Sequence, residues 1–215
     1  MARRRRTRLV LTIGGLAIGA WLLPKFVTLP FTVAEGYGPA GRPVSHSLSK
    51  VVADDRPPVR IDPDAAWRIE FGRGSGWHGL DTVAIDRDGR LVLHRLRSER
   101  REGGTTHSWE TAAARLPADA VAGVLGAAEA NGLPGLSRAY HADVADGTQW
   151  VLRVRQGERE KAVYFDNHFP DPIVRFADRL DEILAGSVGP DLKWQAVPAA
   201  WSRDHERELW ESIRQ

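Results

Sequence analysis

The chain has 215 residues, 42% of them hydrophobic and 27% charged, with eight Trp. These are the proportions of a globular protein with one ordinary core, and they exclude a wholly disordered chain. The absence of Cys excludes disulfides, thiolate nucleophiles, thiolate metal sites and a lipidated-cysteine anchor. The formal net charge of +2 conceals an asymmetry: Arg3, Arg4, Arg5, Arg6, Arg8 and Lys25 all precede the first acid, Glu35, and beyond them 24 basic residues face 28 acidic ones, a net charge of −4. The basic character belongs to the leader, so no nucleic-acid partner is expected.

Residues 1–8 read as a cytoplasmic basic tail and residues 9–33 as a transmembrane anchor. Residues 9–23 carry no charge but make only about 22 Å of helix, short of a hydrocarbon core of about 30 Å. Continued to residue 29, the run reaches about 31 Å, with Pro24 and Lys25 placed where a kink and a snorkelling ammonium are tolerated. The positive-inside rule then puts the Arg cluster in the cytoplasm and the rest outside, a single-pass protein of the cell membrane. A cleaved signal peptide, cut after Thr32-Val33-Ala34, is the competing reading and leads to the same compartment. The excess of Arg (26) over Lys (four) fits a GC-rich bacterial genome.

Residues 34–65 hold Pro39, Pro43, Pro57, Pro58 and Pro63 with Gly36, Gly38 and Gly41, and read as a Pro/Gly-rich tether. An α+β extracytoplasmic domain is expected over 66–186. Its first strands are predicted at 67–71, 80–85 and 91–97, the last two joined by a tight turn at Asp86-Arg87-Asp88-Gly89. That tetrapeptide also opens like a calcium loop, but the later ligands are missing. Pro117 opens a helix with the stripe Val121, Val124, Leu125, Ala128, stopped at Asn131-Gly132. Strands follow at 148–156 and 160–165 across Gly157, and then a helix opened by Asp171-Pro172 with the stripe Ile173, Phe176, Ala177, Leu180, Leu184. Residues 187–215 form a Trp-containing extension with a short helix near 202–213. This order predicts an N-terminal transmembrane helix, then an antiparallel sheet with two amphipathic helices packed on one face and a short C-terminal helix. In pattern, residues 67–185 resemble the small α+β domains of unknown function found in bacterial envelope proteins. That resemblance implies an extracytoplasmic module and brings no catalytic residues with it.

No familiar catalytic template fits. Gly72, Gly74, Gly76 and Gly79 lack the following helix that a phosphate loop needs. Ser75 lacks the frame of a nucleophile elbow. The seven His include no i, i+4 pair, although folding could gather His78, His141, His168 and Asp166. No catalytic residue, metal or cofactor is therefore assigned. The candidate binding residues are Trp77, His78, Tyr164, Asp166, Asn167 and His168, which lie at strand ends and before a helix start. Trp194, Trp201 and Trp210 either pack back on the domain or engage another envelope protein. The expected function is a noncatalytic binding or interaction domain on a membrane anchor. The alternatives are an envelope hydrolase, metal-assisted or serine, near His78, Asp166 and His168, and an inhibitor or accessory subunit of a membrane complex.

Overall fold

A computed structural model of the protein describes residues 43–75, 79–145, 147–188 and 192–214. In chain order the elements are β1 (Leu48–Val52), β2 (Trp67–Ser75), β3 (Gly79–Asp86), β4 (Arg90–Arg101), β5 (Gly104–Arg115), α1 (Ala118–Ala130), a 3-10 turn (Leu133–Gly135), β6 (Ala139–Ala142), β7 (Gln149–Gln156), β8 (Arg159–Asp166), α2 (Asp171–Ser187), β9 (Gln195–Val197) and α3 (Ala199–Arg214). The strands form one nine-stranded sheet in the order β1-β6-β8-β7-β2-β3-β4-β5-β9.

Local chemistry explains the hairpins. Asp86 Oδ1 accepts the N–H groups of Asp88 and Arg90, each at 3.0 Å, and Gly89 takes φ +75°, so β3 turns tightly into β4. A Cβ on Gly89 would lie 2.6 Å from the Leu116 carbonyl, so the turn packs tightly below the start of α1.

Alternation along the strands sorts the side chains onto two faces. Ile69, Phe71, Val83, Ile85, Leu91, Leu93, Trp150, Leu152, Val163 and Phe165 meet α1 and α2 in the main core. Phe71 holds its ring edge-on to Trp150 at 5.3 Å and to Phe176 of α2 at 5.8 Å. The other face is not bare. Leu80 and Val151 pack against Leu209 of α3, with Tyr164, Trp210 and Ile213 around them.

The structure corrects the expected fold class in three respects. The sheet is mixed, because β6 runs parallel to β8, and it is larger than predicted, since β1, β5, β6 and β9 lack a clean alternating signal. Helices cover both faces, with α3 on the face that α1 and α2 leave open. Residues 43–63, expected to be tether, contribute an edge strand and a strap across the domain. The transmembrane segment expected at residues 9–33 lies outside the described residues, and no described helix is long and apolar enough to cross a membrane.

The strap is held mainly by polar contacts. Asp54 accepts from Lys161 Nζ at 3.0 Å, and Lys161 also donates to the Leu136 carbonyl. Burial would raise the Asp54 carboxyl, but hydrogen bonds from Arg56 and Lys161 outweigh it and hold it at about 2. Gln156 clamps both the N–H and the carbonyl of Asp62 at 3.1 Å.

Phe176 is fully buried at the meeting of α2 and the sheet. Phe176→Ala should therefore cost about 3–5 kcal/mol, read as a lowered urea midpoint with an unchanged m-value.

Candidate functional site

Of the predicted binding residues, Tyr164, Asp166, Asn167 and His168 are described, whereas Trp77 and His78 lie outside the described residues. The register locates the described residues around Asp166. Gly74, near the end of β2, pairs with Gln149, and Gln149 pairs with Asp166. Asp166 also pairs with His141 of β6. Two strand spacings, about 10 Å, separate Gly74 from Asp166, so the end of β2 and the end of β8 lie at one end of the sheet.

At that end Asn167 forms the corner between β8 and α2. Its φ of 58° is the one positive value at a non-glycine among the described residues, a conformation Asn tolerates better than most side chains. The backbone N–H, the backbone carbonyl and the side-chain Nδ2 of Asn167 all help to build the corner. Its N–H donates to Thr148 O at 3.0 Å, and its carbonyl accepts from the His46 N–H at 2.8 Å. Its side-chain Nδ2 donates to Asp166 Oδ1 at 3.0 Å and to Val144 O at 3.3 Å. A Cβ on Gly147 would lie 1.6 Å from Asn167 Oδ1, so any larger residue there would displace the Asn167 side chain.

His168 serves the same junction, with Nδ1 2.8 Å from the His46 carbonyl and its ring stacked over Tyr140. Ser45 Oγ accepts the N–H of Phe169 at 3.0 Å. Asn167, His168 and Phe169 thus clasp the incoming strap. Asp166 Oδ2 stands 3.4 Å from His141 Nδ1, a long contact between two partly exposed groups. Tyr164 presents its ring to Trp210 at 5.8 Å, and burial, reinforced by Asp166, pushes its hydroxyl pKa up.

Sequence reading missed a second polar cluster, under α3. His94 is 1% exposed and lies flat on Trp109 at 4.6 Å, with Trp201 and His205 edge-on to it at 4.9 and 5.4 Å. Thr82 Oγ1 is 3.0 Å from His205 Nε2, and Glu206 Oε1 accepts the Leu80 N–H at 3.1 Å. Burial first, and His205 second, push the His94 imidazole down to about 4; the Glu110 backbone opposes this without bringing either ring nitrogen into hydrogen-bond geometry. Asp81, which accepts the Leu96 N–H at 2.8 Å, is pushed up to about 6 by burial, with Arg73 and Arg95 opposing. Alternating polar and apolar residues on β3 and β4 hint at this cluster, but only the placement of α3 makes it buried.

Trp194 and Trp210 pack back on the domain: Arg95 lies over the Trp194 ring at 3.7 Å, and Trp210 meets Tyr164. Trp201 remains 42% exposed. No family model and no curated protein matches the chain.

Two expectations follow from this geometry. Asn167→Ala loses the side-chain bonds and strains the corner, and should cost about 2–4 kcal/mol, whereas Asn167→Gly keeps the backbone at ease and should cost about 1–2 kcal/mol; chemical denaturation of both variants checks the order. The folded value for His94 lies below that of a free imidazole, so the folded form holds fewer protons and loses stability as pH falls from 6.5 towards about 4. Asp81 acts oppositely, its ionisation costing stability as pH rises through about 6. His94→Phe removes only the acid-side loss, so its urea midpoint should fall less than the parent's between pH 7.5 and pH 5.

Proposed function

We propose that this chain is a single-pass, membrane-anchored envelope protein whose domain works by binding another protein and not by catalysis. The anchor rests on the Arg-flanked apolar run at residues 9–29 and the acidic balance beyond it. The binding reading rests on one structural observation. Four large apolar side chains are exposed among the described residues, and three of them, Val44 (52%), Leu48 (47%) and Val51 (43%), lie on or next to β1. Among the described residues that strand is one end of the sheet and pairs only with β6. An apolar edge strand offers a row of backbone donors and acceptors on which an extended segment of a partner can add. The clasp at Asn167 and His168 supports this reading, because it fixes the strap that carries the edge.

A photo-crosslinking residue at Val51 of the full chain, in native membranes, should give one discrete protein adduct. Leu48→Lys should reduce that adduct at least tenfold, and a probe at Glu158 should give none. A reporter fused after Gln215 should be active only outside the cytoplasm. Equal adducts from Val51 and Glu158, or a reporter active in the cytoplasm, would overturn the proposal.

The hydrolase alternative is favoured by a single contact, that of His141 with Asp166. Hydrolysis of ester or peptide substrates that disappears in a stably folded His141→Gln variant would decide for it.

A further inference from the structure

A trough runs between the strap at residues 58–63 and α1, away from β1 and from the sheet-end cluster. It consists of two adjoining cavities of about 390 and about 630 Å³ that share Pro63 and Leu125 in their walls. Sites for small organic ligands occupy this range of volumes.

One end of the trough is polar. Trp67 lines it, 4% exposed, with an indole N–H that is buried and has no hydrogen-bond partner. Arg87 and Arg115 line the same end, are exposed, and form no ion pair among the described residues. The turn that carries Arg87 is tied there, because the Arg87 N–H donates to the Trp67 carbonyl at 3.2 Å and Leu116 N–H to the Gly89 carbonyl at 2.8 Å. The amino terminus of α1 opens at this end too. Its cap, Pro117, offers no side-chain bond, and Asp119 reaches only the Ala120 N–H, at 3.0 Å. Two guanidinium groups face one carboxylate, Asp88, in the lining, which suits one negative charge and not a polyanion.

The other end is apolar and poor in backbone donors. Pro58, Ile61, Pro63, Leu125 and Pro134 form most of it, with Arg60 and Glu129 as opposite charges beside them. Between Ala118 and Glu129, which line its two ends, α1 advances about 17 Å. That length accommodates about a dozen methylene groups at roughly 1.3 Å each along an extended chain. An extended peptide fits worse. The prolines have no N–H to give it and the interior of α1 uses its own backbone groups, so the peptide's carbonyls would find few donors along this wall.

We propose that the trough binds a single-chain amphiphile with one anionic head, a long-chain carboxylate, whose head sits between Arg87 and Arg115 and whose chain lies along α1. Neither the membrane anchor nor the reading of β1 as a docking edge enters the case for this site.

Native mass spectrometry of the full chain released from amphipol, titrated with isotopically labelled dodecanoate, tests this. One dodecanoate should bind per chain. The Arg87→Ala/Arg115→Ala double variant should bind at least tenfold more weakly, with its melting temperature unchanged. Ala122→Trp, at an exposed position in the lining, should abolish binding by filling the trough. Methyl dodecanoate, which lacks the charge, should compete poorly. Binding that is equal in parent and variants, equal competition by the methyl ester, or stronger displacement by an apolar pentapeptide with a free carboxylate would each overturn the proposal.

Discussion

The second face of the sheet is organised around a buried ion pair. Glu70 of β2 and Arg153 of β7 sit opposite each other in the register, with side chains 4% and 2% exposed, and Arg68 adds a second guanidinium at 3.0 Å. Removing two such charges from water costs several kcal/mol per ion, and the cost is offset only when the pair stays together. Burial would raise the Glu70 carboxyl, but Arg153 and Arg68 overcome it and hold the group ionised. The arrangement requires cover on the side away from α1 and α2. The helix α3 supplies it, placing His205 within the field of Glu70, Arg153 and Arg68 and burying Leu209 against Leu80 and Val151. The carboxy-terminal segment is thus an integral layer of the fold, and its Trp side chains must be read in that setting. Trp194 and Trp210 are held by Arg95 and Tyr164, while Trp201 stays at the margin.

The same logic accounts for the strap. Lys161 is buried on β8, and a buried ammonium needs partners. It finds them in Asp54 and the Leu136 carbonyl, both far from it in sequence. Lacking Asp54, Lys161 would lose the carboxylate that balances its charge, so the strap completes the core instead of trailing from it.

Much of this was legible in the sequence where local chemistry governs. Asp86-Arg87-Asp88-Gly89 and Gly157 mark hairpins because the backbone there needs a left-handed residue, and the stripes of α1 and α2 are written at helical spacing. The mixed topology was not legible. The four-residue strand β6 is too short for a period, and its parallel pairing with β8 follows from packing after α1. The strap was hidden by its prolines, since Val59 is the one fully buried hydrophobic in a segment held by polar contacts. At the candidate site, residues 164–168 drew attention for their density of aromatic and polar groups. What could not be foreseen is that Asn167 and His168 bond to His46, more than a hundred positions away. The cluster at His94 and the trough beside Trp67 are not legible in the sequence for the same reason: each requires an element that only folding brings near.

The strap links the two proposed binding surfaces. Its amino-terminal part carries the exposed edge of β1, and residues 58–63 form one wall of the trough. The segment is held by the Asp54–Lys161 pair between them and by the Gln156 clamp on Asp62 in the wall itself, with little apolar burial. Segments held in this way open at lower free energy than a core of packed strands and helices. A ligand that closes the wall against α1 binds only the seated strap, and by mass action it stabilises that state. Seating the strap also sets the register of β1 on β6, through the Arg138 N–H to Val52 carbonyl bond at 2.8 Å and the His46 bond to Asn167. An occupant of the trough and a strand added at the edge therefore favour the same conformation of residues 43–63. The coupling between them is bounded by the free energy of unseating the strap.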